Sequence, residues 1–402
     1  MPPEIPETAD DIDVAWLEQV FALGGRNVRL EGFSIEMISE GRGFAGEVYR
    51  LNLQAEAGGN APKNIVLKLH SVDKSRAEQV LFAYRNEHRF YESFAQRTPV
   101  RAPHCYYGAV DETNNRFVLM LEDLHKVKFG DQVRGTVIEE IYAAVVGLAK
   151  HHAAFWKDDD VAALDRNQDD LEPKKMAPLL VALLEDAKQT FGKGLPLSLS
   201  IAGVIITAFN APDFKVPEQQ LPDPFTLTHT DYRLDNMGFD ENGELVVIDW
   251  CCAPGKGHAD LAYFLSGNMT PVQIETQWHE TVSLYHSTLT ENGVSDYSLA
   301  QLTADLRTHL VEQSILSVVT LGIFSRLNRD GSPGDLSVLP SGMQALLRNI
   351  IEDPRGFEIV MSMAERTEAA LTKIMPGGAF GGSLLMGSLQ GVLNLKARLR
   401  WK

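Results

Sequence analysis

Residues 228–250 read THTDYRLDNMGFDENGELVVIDW and crowd His229, Asp231, Asp235 and Asn236 together ahead of an apolar run that ends in Asp249. Side chains this polar and this dense belong either to a solvated hairpin or to a site that holds a metal and moves a proton. Asp231 and Asn236 stand at an H-x-D-x-x-x-x-N spacing from His229. The DENG turn at 240–243 folds the chain back on itself, so Asp249 is expected beside Asn236. Phosphoryl transfer asks for these parts: an acceptor hydroxyl held in line, a carboxylate to take its proton, and oxygen ligands for magnesium on the phosphates.

A phosphate cradle has its own marks. GRGFAGEV places Gly41, Gly43 and Gly46 at a G-x-G-x-x-G spacing. The segment EVYRLNLQ that follows reads as strand, not helix, which argues against a dinucleotide-binding turn and for a glycine-rich hairpin over phosphates. An ordinary glycine-containing hairpin is the plainer alternative. In NIVLKLH the alternating strand carries Lys68, whose long stem delivers a cation to phosphate oxygens. The helical stretch after it offers three acids, Glu78, Glu87 and Glu92, to fix that ammonium. Glu87 is chosen because it lies among Phe82, Tyr84, Phe90 and Tyr91, where a purely solvated acid is less expected. The other two remain rivals.

The elements that position these residues follow from texture. Up to about residue 120, short strand-like runs such as APKNIVLKLH and RFVLMLEDL alternate with turns, interrupted by one helical stretch, 75–94. From Gly135 onward long helical periods dominate, as in TVIEEIYAAVVGLAKHHAAFWKD and LTADLRTHLVEQSILSVVTLGIF. An α+β chain is expected, with a strand-rich lobe over 1–121 and a mostly helical lobe over 122–402.

Composition excludes several classes. The net charge of −17 repels a nucleic-acid backbone. No run approaches the roughly 18 consecutive apolar residues of a membrane span, and the first 20 residues are acidic where a signal peptide is basic. A soluble, cytoplasmic protein is expected. Cys105, Cys251 and Cys252 fit neither a disulfide framework nor a zinc pattern. His151 and His152 read as packing and surface rather than metal ligands, KDDD at 157–160 as a solvated helix end or loop, and PGGAFGGS at 376–383 as a loop between helices.

Taken jointly, GRGFAGEV, Lys68, Glu87, HTDYRLDN, VVIDW and DLAYFL resemble the aminoglycoside phosphotransferase and choline kinase group of the protein-kinase-like fold. EHRFYESF, FVLMLEDL, FGDQVRG and LAKHHAAFW resemble most its ecdysteroid-kinase-like branch, over residues 12–270. The resemblance implies a two-lobed kinase-like fold and an ATP- and Mg2+-dependent transfer of the γ-phosphate to a hydroxyl of a small molecule. The alternative is a silent nucleotide-binding module, and a dinucleotide-dependent oxidoreductase is a distant third. By the same resemblance Asp231 orients or deprotonates the acceptor, with Arg233 near the transferred phosphate. Asn236 and Asp249 bind Mg2+. Lys68, partnered by Glu87, holds the ATP phosphates under the Gly41, Gly43 and Gly46 hairpin. The adenine packs between the lobes against backbone near Leu121 and Glu122. His229 and Asp260 brace the loop. Two departures stand out: Thr230 where relatives commonly have glycine, and Cys251–Cys252 where they often carry a polar side chain. Threonine is expected to be tolerated, at a strain of about 1 kcal/mol or more should φ be positive.

Overall fold

Alternation in Asn64–His70 sends Ile65, Leu67 and Leu69 to one buried face and Lys68 to the other. The computed structural model describes residues 3–38, 46–164, 172–209, 211 and 221–375. Gly41, Gly43 and the 376–383 glycine cluster therefore lie outside the described residues. The Asn64–His70 strand, β3, is the centre of an antiparallel sheet. Its other strands are β1 (Leu30–Met37), β2 (Gly46–Ala55), β4 (Cys105–Asp111) and β5 (Arg116–Glu122), in the order β1-β2-β3-β5-β4. Lys68 pairs in register with Val48 on one side and Leu119 on the other.

One face of the sheet is closed by α1 (Val14–Leu23), whose Leu17, Val20 and Phe21 join Ile65, Leu67, Leu69, Val118 and Met120 in a single apolar cluster. Asp13 starts that helix by accepting from the Trp16 N–H at 2.7 Å, a cap worth about 1 kcal/mol. The stretch expected as one helix over 75–94 is two, α2 (Lys74–Gln79) and α3 (Leu81–Arg89), followed by a π turn at Phe90–Phe94. The break falls at Val80, a buried residue with φ −107° and ψ 8°, where no glycine or proline announces it.

The chain divides into two compact units, one comprising residues up to Lys128 plus Phe239–Cys252, the other Phe129–Gly238 plus the chain from Ala253. The cut expected from texture falls after Leu121. The first unit runs further because Arg50 binds Asp123 at 3.0 Å and Arg101 binds Glu122 at 2.7 Å. It takes back 239–252 through the Val247 N–H, which donates to the Arg101 carbonyl at 2.9 Å, and through Trp250, which stacks on Phe90 at 4.3 Å.

The second unit is helical: α4 (Ile138–Ala154), α5 (Asp159–Ala162), α6 (Pro173–Phe191), α7 (Pro196–Phe209), α8 (Gly257–Asn268), α9 (Pro271–Glu291), α10 (Leu299–Asp330), α11 (Ser341–Glu352) and α12 (Gly356–Ile374). Among the described residues α10 alone is long and apolar enough to cross a membrane, yet 72% of its most apolar window is buried, as in a core helix. It begins at a Ser298 cap and ends at Gly331 with φ +69°, the left-handed conformation glycine adopts without penalty. Arg366 of α12 is buried, and its guanidinium donates to the carbonyls of Gln132, Val133 and Gly267. That ties the segment FGDQVRG to the end of α8.

Candidate active site

In the first unit, Lys68 Nζ donates to Glu87 Oε1 at 2.6 Å and also binds Asp249 Oδ1. Alternation on β3 turns the lysine away from the α1 face, and α3 supplies the glutamate. Glu78 and Glu92 are exposed. Burial works against the ammonium's charge, but the Asp249 and Glu87 carboxylates outweigh it and hold the lysine above its ordinary pKa. An ammonium has three donors, and these carboxylates take two. Asp249 is itself forced into φ +59°, a conformation rare for a non-glycine residue. The ring of Trp250, wedged on Phe90 and donating from Nε1 to the Val247 carbonyl at 2.8 Å, fixes the backbone beside it.

In the second unit, the loop after Thr226–Thr228 is pinned from α8. Asp260 accepts from the backbone N–H of His229 at 2.6 Å and of Thr230 at 3.2 Å. His229 Nδ1 in turn accepts from the Asp231 N–H at 3.2 Å. Thr230 sits at φ +72°, so the strain attached to a Cβ at this position is present, and Asp260 is what holds it. Asp231 is 5% exposed. Its Oδ2 accepts from Asn236 Nδ2 at 2.8 Å, its Oδ1 from the Tyr263 hydroxyl at 3.1 Å, and both oxygens from Arg233 Nε at 3.2 Å. Arg233 also reaches Asp235 at 3.0 Å, which Arg355 approaches at 3.5 Å.

Some expected residues acquire a different physical reading. A Cβ on Gly46 would lie 1.9 Å from the Leu69 carbonyl oxygen, so close packing of β2 on β3 already demands glycine there, whatever phosphates do. The Glu122 N–H donates to the His104 carbonyl at 2.8 Å. His151 and His152 are packing residues but not surface ones. Both are buried, His151 Nε2 donating to the Leu227 carbonyl at 3.0 Å and His152 Nε2 lying 3.3 Å from Asp260. Burial first, then the neighbouring histidines, hold the His151 pKa well below the ordinary value. In the 157–160 run Asp158 caps α5, and exposed Lys157 pairs with Asp296 at 2.5 Å. The three cysteines are free thiols.

Sequence reasoning missed Tyr263, Trp250 and the His152 contact to Asp260, although DLAYFL and the histidine pair were both in view. It also missed Tyr91. Among the described residues that hydroxyl is buried without a hydrogen-bond partner, and burial followed by the Glu87 charge pushes its pKa well above the ordinary value. Replacing Tyr91 with phenylalanine is expected to raise stability by about 1 kcal/mol, because an unsatisfied buried hydroxyl costs about that much. A chemical-denaturation midpoint that falls instead would show the hydroxyl to be paired.

Among the described residues no group of three or more His, Cys, Asp or Glu side chains gathers as a metal site. Asn236 in the second unit carries an amide oxygen and Asp249 in the first a carboxylate. Such hard oxygens, few in number, suit magnesium completed by water and phosphate rather than an all-protein cage. Both donations from Asn236 Nδ2 go to Asp231, which turns the amide oxygen to the other side.

Comparison with known proteins gives a family match over residues 40–294, to the ecdysteroid kinase-like family. No curated protein matches the chain. Similar solved structures include a spectinomycin phosphotransferase in complex with ADP and spectinomycin, 12% identical, covering 88% of this chain and 99% of that one at a TM-score of 0.45. A microcompartment-associated aminopropanol kinase is 13% identical, covering 88% and 95% at 0.43. A choline/ethanolamine kinase family protein from Mesorhizobium loti is 14% identical, covering 82% and 92% at 0.37.

Proposed function

Since the chain belongs to the ecdysteroid kinase-like family, we propose that it is an ATP- and magnesium-dependent phosphotransferase whose acceptor is a hydroxyl of a small molecule. The observation that carries this reading is Lys68 held between Glu87 and Asp249, a lysine and an acid far apart in sequence joined at one ammonium. A third donor on that ammonium meets a phosphate oxygen.

In this reading Asp231 receives the proton of the acceptor hydroxyl as the new O–P bond forms and the bond from the γ-phosphorus to the bridging oxygen breaks. Asn236, Tyr263 and Arg233 fix the carboxylate before substrate arrives, so little reorganisation is needed during the reaction. Arg233 places a positive charge beside the base, where charge on the transferred group develops. Magnesium, when bound, neutralises phosphate charge, and the Asn236 amide oxygen and Asp249 carboxylate are the ligands this chain offers it. The Lys68 ammonium orients the nucleotide, with Gly41, Gly43, Gly46 and the backbone near Leu121 and Glu122 as its other contacts. Screening purified protein for ATP consumption against a panel of hydroxylated metabolites tests the proposal. ATP-dependent phosphorylation of one class is expected, and none with any acceptor would remove it.

A further inference from the structure

Asp260 and Tyr263 stand three residues apart on α8 and so share a face of that helix. Asp260 takes the backbone N–H groups of His229 and Thr230, while the Tyr263 hydroxyl donates to Asp231 Oδ1 at 3.1 Å. One helix face thus holds the backbone of the loop and the carboxylate it carries. Resting on the kinase reading, we propose that Tyr263 is a positioning residue: its hydroxyl sets the orientation of the Asp231 carboxylate toward the acceptor.

The neighbouring groups favour this role over a merely structural one. Tyr263 is buried, and its hydroxyl is spent on a carboxylate oxygen rather than on a backbone carbonyl. The nearby Tyr232 provides the contrast: it is also buried, but its hydroxyl donates to the Ala144 carbonyl at 2.8 Å, an anchoring bond within the helical packing. Arg233 and Asn236, which also donate to Asp231, come from its own loop and move with it. Tyr263 donates to that carboxylate from outside the loop, on a helix buried along nearly its whole length. Burial and then the Asp231 charge hold its phenol well above the ordinary pKa, so the group keeps the proton it donates to the carboxylate. A carboxylate that loses it keeps the Arg233 and Asn236 donors of its own loop but not the donor held on α8, and misplacement of a reacting group by about 1 Å can cost about 100-fold in rate.

The test compares wild type, Tyr263→Phe, Asp231→Asn and the double variant in steady-state phosphorylation of the best acceptor from the metabolite panel, with thermal melts of each. Tyr263→Phe is expected to lower kcat about 10-fold with KM for the acceptor within about 2-fold and the melting temperature nearly unchanged. In the Asp231→Asn background the same change is expected to cost little more, since Tyr263 acts through Asp231. An equal loss in both backgrounds, an undiminished kcat, or a loss that tracks a lowered melting temperature would overturn the proposal. Absence of transfer by wild type would instead count against the kinase reading. Crystal structures of wild type and Tyr263→Phe then decide the positioning claim: a reoriented or split Asp231 carboxylate supports it, and one unchanged rotamer overturns it.

Discussion

Asp231→Asn is expected to leave ATP and magnesium affinity where they are and to lower phosphorylation of the acceptor by about 100-fold or more. Asparagine keeps the shape of the side chain and still accepts the Tyr263 hydroxyl through one oxygen, but it cannot take the acceptor's proton. Asn236 and Arg233 both donate to the present carboxylate, and an amide offers one acceptor in place of two. A small loss of stability, about 1 kcal/mol for the donor left without a partner, is therefore expected alongside. Calorimetry with ATP and magnesium separates the roles. A collapse of nucleotide affinity would make Asp231 a metal or structural residue, and undiminished turnover would remove it from the chemistry.

Lys68→Met should cost nucleotide affinity first. A charge-assisted hydrogen bond to a phosphate oxygen is worth about 1.5–3 kcal/mol, so affinity for ATP is expected to fall about 10-fold or more. The protein should also lose stability, because Glu87 and Asp249 would face each other without the ammonium. Breaking a fully buried pair costs about 3–5 kcal/mol, and partial exposure of Asp249 brings the expectation to the lower end. Denaturation of the free protein and calorimetry with ATP read the two effects separately. Tight binding that the substitution leaves untouched would detach Lys68 from the nucleotide.

The α+β order of strands then helices was legible because period changes along the chain, and the family was legible from motifs spread over the match at 40–294. Glu87 stood out for the apolar residues around it, and Lys68 for strand alternation. Less legible were groups whose partners lie far along the chain. Tyr263 meets Asp231 across 32 positions and His152 meets Asp260 across 108, and no periodicity links such pairs. The break at Val80 has no glycine or proline to mark it, and the return of 239–252 to the first unit rests on contacts distant in sequence, Val247 to Arg101 and Trp250 to Phe90. Gly46 shows the converse: its motif suggested phosphate, while the nearby Leu69 carbonyl gives an independent steric reason for the glycine.

The most direct measurement is mass-spectrometric detection of a phosphorylated product when wild type and Asp231→Asn are each incubated with ATP, magnesium and the panel of hydroxylated metabolites. For wild type, one acceptor class gaining phosphate in step with ATP loss is expected, with about 100-fold less product from Asp231→Asn at equal nucleotide occupancy. Nucleotide that binds to both proteins while no acceptor gains phosphate from either would contradict the phosphotransferase and leave a binding module.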